Sequence, residues 1–335
     1  MTAQTPACRV VSLLPSATEA LCAVGGEGLL VGRSHECDFP PTIGDLPVLT
    51  AARTRFENAA QVDRDVRRAL DDAGAASLYT LDEGLLGLLQ PDVILTQDLC
   101  SVCSIDLAAV ERVAAGLAKR PRVVSLNPLT FEAVLDDLLT IGAAVDSGNG
   151  AMARSATETV VRLRERVYAA CDFVNAFADG PSVAFLEWTD PLFVGGHWVP
   201  QMIERAGGRC PLNATRPLRT AGAAAGPIGT TLRIAEKSIV VPPEVLVASR
   251  PERIIIAPCG LSLAQARREA EALREKPWWR ELPAVQTGHV AIVDGNQYFS
   301  RPGPRLVEAF EWLVGWLSDR PEVMPEGFAW EMMRV

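Results

Sequence analysis

The stretch RVVSLLPSATEALCAVGG, residues 9–26, joins a short apolar run to a helical pattern and sets the type of fold. The first six residues of this stretch are rich in Val and Leu, which is typical of a buried strand. Ser16 and Glu19 have the spacing of a capping box, so we expect a helix to begin at Ser16. A pair of glycines ends the helical pattern. A strand that leads directly into a helix is the repeating unit of a parallel sheet.

The same alternation of strands and helices continues along both halves of the chain. It predicts an N-terminal α/β lobe over residues 8–128 and a C-terminal α/β lobe over residues 181–320, followed by a tail at 321–335. Further strands are predicted at residues 29–32, 93–96, 122–126, 182–186, 253–257 and 289–293. Further helices are predicted at residues 63–73, 81–89, 107–119, 199–206, 243–248, 263–274 and 304–318.

The segment between the two lobes, residues 129–180, has a helical pattern throughout most of its length. Residues 151–178 contain neither Gly nor Pro, which predicts one long rigid helix that connects the lobes. The predicted fold class is therefore α/β, with two Rossmann-like α/β lobes joined by one long helix.

Composition excludes several classes of function. The 335 residues are 48% hydrophobic, which is enough to bury sizeable cores. The net charge of −9 and the scattered Lys and Arg argue against a nucleic-acid partner. No apolar run is long enough for a membrane span. Residues 1–8 have neither the basic nor the apolar region of a signal peptide, so we expect a cytoplasmic location, where eight unevenly spaced cysteines would be reduced.

Four cysteines follow predicted strands and are candidate metal ligands. They are Cys37, Cys100, Cys103 and Cys259. The carboxyl ends of parallel strands form the crevice where open α/β sheets bind ligands, so these thiols are expected near such a crevice. Cys100 and Cys103 also have the C-x-x-C spacing that lets two thiolates share one metal. The set would hold zinc or an iron-sulfur cluster, with His35 as a substitute ligand.

Two other interpretations of these cysteines remain open. A free Cys is often a small buried hydrophobic residue with no chemical role. Alternatively, Cys100 or Cys103 is the nucleophile of a thiol-dependent enzyme and His35 is its base. The sequence contains no P-loop or triad motif that would support an enzyme, and we expect a protein without catalytic activity.

Aromatic residues make up only 6% of the chain, yet several lie in segments expected at the cleft. Trp188, Trp198 and Tyr298 would offer flat apolar faces to a planar ligand. His197 follows two glycines, which permit close approach of the backbone to a bound group. Arg301 would pair with an anionic edge of the ligand, or it would only neutralise the end of a helix.

Five motifs together resemble a known protein family. They are VVSLLPSATE at residues 10–19, CDFPP at 37–41, LLQPDVIL at 88–95, GGHW at 195–198 and VLVASRPERIII at 245–256. The chain resembles the class III substrate-binding proteins, whose backbone includes a long helix and which serve ABC importers of cobalamin and iron chelates. The resemblance extends from residue 9 to about residue 317.

This resemblance implies a binding function and a set of ligand contacts. The expected ligand is cobalamin, another corrinoid or a related small-molecule metal chelate, held between the two lobes. The candidate ligand contacts are Ser16, His35, Glu36, Gln97, Trp188, His197, Trp198, Tyr298 and Arg301.

The resemblance also implies a protein partner, because in this family a Glu on each lobe docks onto an ABC permease. Glu244 falls at the family's position in the second lobe. In the first lobe the corresponding position is Gly84, and Glu83 lies one residue before it. With the N-terminal sequence described above, this departure favours a cytoplasmic relative that retains ligand binding.

Overall fold

The computed structural model describes residues 8–53, 57–71, 78–99, 105–175, 177–218 and 233–334. Its contacts divide the chain into two compact units. Unit 1 consists of Met1–Glu57, Arg64–Pro128 and Ala133–Leu163, and unit 2 consists of Asn58–Asp63, Leu129–Glu132 and Arg164–Val335. Because the two units interleave along the sequence, the domain bounds given above stay predictions.

Helices and short strands alternate through the described residues. In chain order the strands are β1 Val10–Ser12, β2 Leu30–Arg33, β3 Thr50–Ala52, β4 Tyr79–Leu81, β5 Val93–Thr96, β6 Arg122–Ser125, β7 Val183–Thr189, β8 Leu192–Val194, β9 Arg216–Pro217, β10 Arg233–Ile234, β11 Ile239–Val240, β12 Arg253–Ile256, β13 Val290–Val293 and β14 Trp330–Met332. The helices are α1 Pro15–Ala23, α2 Ala59–Asp71, α3 Glu83–Leu89, α4 Leu107–Gly116, α5 Phe131–Val145, α6 Ala151–Cys171, α7 Trp198–Arg205, α8 Pro243–Ala248, α9 Leu263–Arg274, α10 Pro283–Gln286 and α11 Leu306–Leu317.

Unit 1 contains a parallel sheet of four strands in the order β2-β1-β5-β6. Val10, Val11, Ile94 and Leu95 in its two central strands are completely buried. A central parallel strand is covered on both faces, which explains why these runs contain apolar residues without alternation. The α/β class predicted from the sequence is confirmed.

The beginning of α1 differs from the prediction of a capping box. The helix begins at Pro15, its N-cap is Leu14, and no side chain caps it. Proline is well suited to the first helical position because it has no N–H group to satisfy, so the helix begins one residue earlier than predicted. Ser16 therefore lies within the first turn and is 4% exposed.

Unit 2 contains a sheet of six strands in the order β11-β8-β7-β12-β13-β14. The three central strands β7, β12 and β13 are parallel, whereas β8 and β14 run antiparallel to their neighbours. Phe185 and Trp279 are among the large side chains buried against this sheet. The residues after β7, β12 and β13 therefore share one edge of the sheet.

The final residues, for which a tail is predicted, include a strand that pairs with the second sheet. Strand β14 pairs with β13, and Glu331 forms a bidentate ion pair of 2.6 Å with Arg267 of α9. Three residues are too few for a periodic pattern, so this strand could not be predicted from the sequence.

The long helix α6 begins just after Asp146, whose carboxylate accepts hydrogen bonds from backbone N–H groups at the start of the helix. The Asp146 carboxylate accepts hydrogen bonds from Gly150 and Met152, each at 3.0 Å. These bonds, led by the one from Gly150, lower the pKa of Asp146. The helix ends at Cys171, short of the predicted residue 178, because the N–H of Phe173 bonds back to Ala170 in a turn. With 21 residues it is about 31 Å long.

Within the part of the chain that the structure describes, no helix is both long and apolar enough to cross a membrane.

Candidate functional site

In unit 1 the residues that follow the parallel strands lie along one edge of the sheet. Ser16 follows β1, the segment 35–37 follows β2, and Gln97 follows β5. Ligands of open α/β sheets bind beyond this edge. Ser16 is 4% exposed and Gln97 is 8% exposed, so each offers little surface to a ligand. Their assignment as ligand contacts stays a prediction.

His35 is half-buried at this edge of the sheet, and its imidazole contacts the hydroxyl of Thr50. The Nδ1 atom lies 2.6 Å from Thr50 Oγ1, and the backbone N–H of His35 donates to the same oxygen at 3.0 Å. The ring of Tyr79 lies 5.6 Å from the His35 ring, centroid to centroid. Burial lowers the pKa of His35, which favours the neutral imidazole.

Glu36 is exposed beside this pair. The Tyr79 hydroxyl donates to Glu36 Oε1 at 3.5 Å, the long end of the hydrogen-bond range. The His35 side chain pairs with a hydroxyl here, which differs from the thiol partner expected in the enzyme hypothesis. Cys100 and Cys103, the predicted nucleophiles, lie outside the described residues.

Cys37 is a buried residue of the same loop. It is 1% exposed, and its Sγ lies 3.1 Å from the hydroxyl of Thr18 in α1. The loop is fastened by Arg33, whose Nη1 donates to the carbonyl of Cys37 at 2.9 Å and whose Nη2 donates to that of Gly44 at 2.8 Å. The side chain therefore packs as a small buried residue does.

Cys259 in unit 2 is half-buried in the segment that follows β12, and its backbone N–H donates to the backbone carbonyl of Glu187 at 3.0 Å. Among the described residues, which exclude Cys100 and Cys103, no three His, Cys, Asp or Glu side chains are grouped closely enough to hold a metal ion. The zinc or iron-sulfur site that joins all four cysteines stays a prediction.

Trp188 lies near the carboxyl end of β7 and is half-buried. Its indole N–H donates to the carbonyl of Ala59, the first residue of α2, at 3.2 Å. This contact fixes the ring within unit 2 and gives it a structural partner that sequence spacing did not indicate.

His197 occupies a strained turn between β8 and α7. Its φ of 53° lies in the left-handed region, which is unusual for a residue with a side chain. Its backbone N–H donates to the backbone carbonyl of Glu236 at 2.9 Å, and its ring stacks on that of Trp198 with the centroids 5.6 Å apart. Burial, and then the charge of Lys237, lower the pKa of His197.

Trp198 and Tyr298 are largely buried within unit 2, at 5% exposure each. The Trp198 indole donates to the carbonyl of Phe299 at 2.7 Å, and Tyr298 stacks on Phe328 at 4.0 Å. Both rings contribute mainly to packing in this conformation. Their assignment as ligand contacts stays a prediction.

Arg301 belongs to a buried polar loop that follows β13. Its Nη2 donates to Asn296 Oδ1 at 2.8 Å, and only 7% of the residue is exposed. The loop is organised by Asp294, whose carboxylate accepts backbone N–H groups from Leu263 at 3.0 Å and from Gln297 at 2.8 Å. Asp294 directly follows β13 and precedes Gly295, which is the sequence signal of a turn.

The two docking candidates occupy similar local positions. Glu83 is the first residue of α3, and Glu244 lies in the first turn of α8. Both side chains are exposed. A carboxylate is stabilised in the first turn of a helix by the helix dipole, so each residue also has a local structural role.

Comparisons with known proteins identify the fold. No family model matches the sequence, and no curated protein matches it. A periplasmic heme binding protein from Pseudomonas aeruginosa has 20% identity, 98% coverage of both chains and a TM-score of 0.68. The fold is that of substrate-binding proteins.

Two further structures with the substrate-binding fold extend this result. The periplasmic vitamin B12 binding protein of Vibrio cholerae is 17% identical, with a TM-score of 0.60, over 94% of this chain and 98% of that one. An ABC transporter substrate-binding protein from Listeria monocytogenes is 16% identical, with a TM-score of 0.62, over 93% and 99%. At such identities the comparison establishes the substrate-binding fold. The identity of the ligand has to be inferred from the residues of this chain.

Proposed function

We propose that this protein binds a planar metal chelate, with cobalamin or another corrinoid as the first candidate and heme as the second. The observation that carries this proposal is the likeness of nearly the whole chain to proteins that bind heme and vitamin B12. A fold alone does not determine function, so the proposal also depends on the residues at the edge of the unit 1 sheet.

Those residues have the chemistry that a metal chelate requires. His35 offers an imidazole, a common ligand of iron and cobalt centres. The adjacent Tyr79 offers an aromatic ring, and Glu36 is an exposed carboxylate near both. A bound chelate would bring most of its metal's ligands with it, so His35 would need to supply only one nitrogen. The residues present therefore fit a corrinoid or a heme.

Titration of the purified protein with hydroxocobalamin and with ferric heme tests the proposal. We expect one of the two to bind with a Kd of about 1 μM or tighter, seen by calorimetry and as a shift of the chelate's absorption bands. A metal-free porphyrin serves as the control for non-specific stacking. Absence of binding to both chelates would contradict the proposal. Zinc or iron retained by the protein without a chelate would favour the cysteine alternative instead.

Variants in each unit identify the parts of the chain that contact the chelate. Tyr79→Ala should weaken chelate binding if unit 1 contributes, whereas Tyr168→Ala, an exposed Tyr on α6, is the matched control. Trp188→Phe keeps an aromatic ring but removes the indole N–H that donates to Ala59, and it tests unit 2 with less disturbance than truncation. Unchanged affinity in both Tyr79→Ala and Trp188→Phe would place the ligand elsewhere.

We further propose that the protein acts in the cytoplasm. The described cysteines Cys8, Cys22, Cys37, Cys171, Cys210 and Cys259 form no disulfide with one another, as is usual in a reducing compartment. Cell fractionation tests this proposal directly. Recovery from the periplasm would contradict it, and would favour delivery to an ABC permease through Glu83 and Glu244. In that case Glu83→Arg and Glu244→Arg should abolish stimulation of the importer's ATPase activity without changing chelate affinity.

A further inference from the structure

The loop before α6 contains a chemically labile pair of residues, Asn149 and Gly150. Asn149 is exposed, and it is the only one of the six Asn residues in the chain that a Gly follows. Asn is a thermolabile residue, and a following Gly has no side chain to shield its backbone nitrogen. Both residues belong to unit 1 and are separate in the chain from the strand-end residues of the candidate site.

Loss of the Asn149 amide is an intramolecular substitution. The backbone nitrogen of Gly150 gives up its proton and attacks Cγ of Asn149. A C–N bond forms, the bond from Cγ to Nδ2 breaks, and ammonia leaves with that proton. Water then opens the resulting cyclic imide at one of its two carbonyl carbons. Opening at one carbon gives aspartate, and opening at the other gives isoaspartate, in which the main chain runs through the former side chain.

The carbon that is attacked belongs to an ordered side chain. Asn149 Oδ1 accepts the backbone N–H of Ala151 at 2.9 Å, which is the hydrogen bond of an Asx-turn. This bond draws electrons away from Cγ and therefore does not protect the amide from attack. Protection has to act on the attacking nitrogen instead.

The attacking nitrogen is restrained by Asp146. The backbone N–H of Gly150 donates to Asp146 Oδ1 at 3.0 Å, and the Gly150 carbonyl accepts the backbone N–H of Arg154 at 3.1 Å. The second carboxylate oxygen of Asp146 accepts the backbone N–H of Met152 at 3.0 Å. Gly150 is thus held on both sides, and its nitrogen reaches Cγ of Asn149 only after the bond to Asp146 breaks.

The negative charge of Asp146 adds to this restraint. The nitrogen of Gly150 must lose its proton, and an anion is disfavoured beside a carboxylate. A general base acts best when its pKa lies near the working pH. Hydrogen bonds, led by the one from Gly150, lower the pKa of Asp146, which makes it a poor base. Asp146 therefore opposes the reaction and does not assist it.

We infer that Asn149 and Gly150 form a site of spontaneous deamidation and isoaspartate formation, which the Asp146 carboxylate keeps closed while the start of α6 is folded. The modification proceeds when this turn opens, because helix ends open at lower cost than the core of a fold. Isoaspartate adds one carbon atom to the main chain and so displaces the N–H groups that Asp146 accepts. The inference is independent of the proposed function.

Peptide mass spectrometry after incubation at physiological temperature and pH tests the inference, with the isoaspartate and aspartate products separated by chromatography. We expect Asn149 in the folded wild type to convert at least about 10-fold more slowly than in the guanidinium-denatured chain. Asp146→Ala should approach the denatured rate. Asp146→Asn keeps an acceptor oxygen without the charge and should fall between the two. Asn149→Ser keeps an oxygen for the Asx-turn and should form no product in this peptide.

Asp106→Ala is the matched control. Asp106 is the N-cap of α4 in the same unit, and its carboxylate accepts the backbone N–H groups of Ala108 at 3.3 Å and Ala109 at 3.2 Å. We expect this variant to convert Asn149 at the wild-type rate. Circular dichroism verifies that each variant is folded, and Asp146→Asn carries the comparison if Asp146→Ala does not fold.

Two results would overturn the inference. The first is a folded Asp146 variant that converts Asn149 no faster than wild type does. The second is a folded wild type that converts Asn149 as fast as the denatured chain does, because the carboxylate would then provide no protection.

Discussion

The Glu269 carboxylate accepts a 2.8 Å hydrogen bond from the Thr189 hydroxyl, although only 8% of Glu269 is exposed. Its other oxygen accepts the backbone N–H of Ala59, at the start of α2, at 3.3 Å. A buried carboxylate is tolerated only where donors compensate for its lost hydration. Glu269 therefore ties the end of β7 to the first turn of α2.

Replacing Glu269 should be costly because it leaves both donors unsatisfied. We expect Glu269→Ala to lower the free energy of unfolding by about 1–3 kcal/mol in denaturant titrations. The control is Glu271→Ala on the same helix, where an exposed i,i+3 pair with Arg274 should contribute less than about 0.5 kcal/mol. Equal effects of the two substitutions would contradict the structural role of Glu269.

Gly196 cannot carry a side chain without moving the neighbouring backbone. A Cβ atom added there would lie 2.1 Å from the backbone nitrogen of Ser238. We expect Gly196→Ala to lower the free energy of unfolding by about 2 kcal/mol or more. The control is Gly116→Ala at the end of α4, where no described atom beyond the adjacent residues and the backbone of the same helix lies within 4 Å of the added Cβ. This change should be neutral or stabilising by about 0.5 kcal/mol.

The stability of the protein should depend on pH through Asp137 in α5. Burial, and then the neighbouring Asp136, raise the pKa of Asp137 to about 7. Because the folded state binds this proton more tightly than the unfolded chain, the stability it contributes is lost as the pH rises through 7. Asp137→Asn should therefore stabilise the protein by about 1–2 kcal/mol at pH 8 and have little effect at pH 4.

Thermal unfolding of both proteins across this pH range measures the effect. Asp45→Asn, at an exposed position of unit 1, controls for removal of one negative charge. A stability difference between Asp137→Asn and wild type that stays constant from pH 4 to pH 8 would show that Asp137 does not titrate in this range.

The imidazole of His35 should titrate below the ordinary histidine value of 6.5 in the chelate-free protein, because burial lowers its pKa. The unfolded chain binds this proton more readily, so the stability that depends on neutral His35 is present above pH 6.5 and is lost as the pH falls through the folded pKa. Proton NMR titration measures the value, and His35→Gln identifies the resonance by removing it. A pKa above 6.5 would be inconsistent with the buried, neutral ring.

Apolar runs predicted the parallel strands well because a strand buried on both faces leaves an uninterrupted pattern. The strand predicted at residues 93–96 is β5 with the same bounds. Local rules failed where two signals competed, as at Pro15, which takes the first helical position ahead of Ser16. Proline prevails over the capping-box spacing here because it has no N–H group that needs a partner at the first helical position.

The contacts of the candidate site could be predicted from the sequence less completely than the fold. Residue type alone does not distinguish a Trp that stacks on a ligand from one that packs in a core, and Trp198 is 5% exposed. The partner that orients His35 comes from β3, so only the folded chain shows that Thr50 and His35 meet. Periodicity records the burial of a segment but contains no information about contacts between distant segments.

The hydrogen bonds of Arg33 affect how a mutational scan of the site should be interpreted. Its guanidinium fastens the loop that carries His35 by donating to the carbonyls of Cys37 and Gly44. A single ammonium group lacks the forked geometry that reaches both oxygens, so even Lys is a poor substitute. In a mutational scan for lost ligand affinity, substitutions of Arg33 would therefore score like substitutions of ligand contacts, although its hydrogen bonds go to backbone carbonyls of its own loop. Selection for a new ligand would retain Arg33 unchanged.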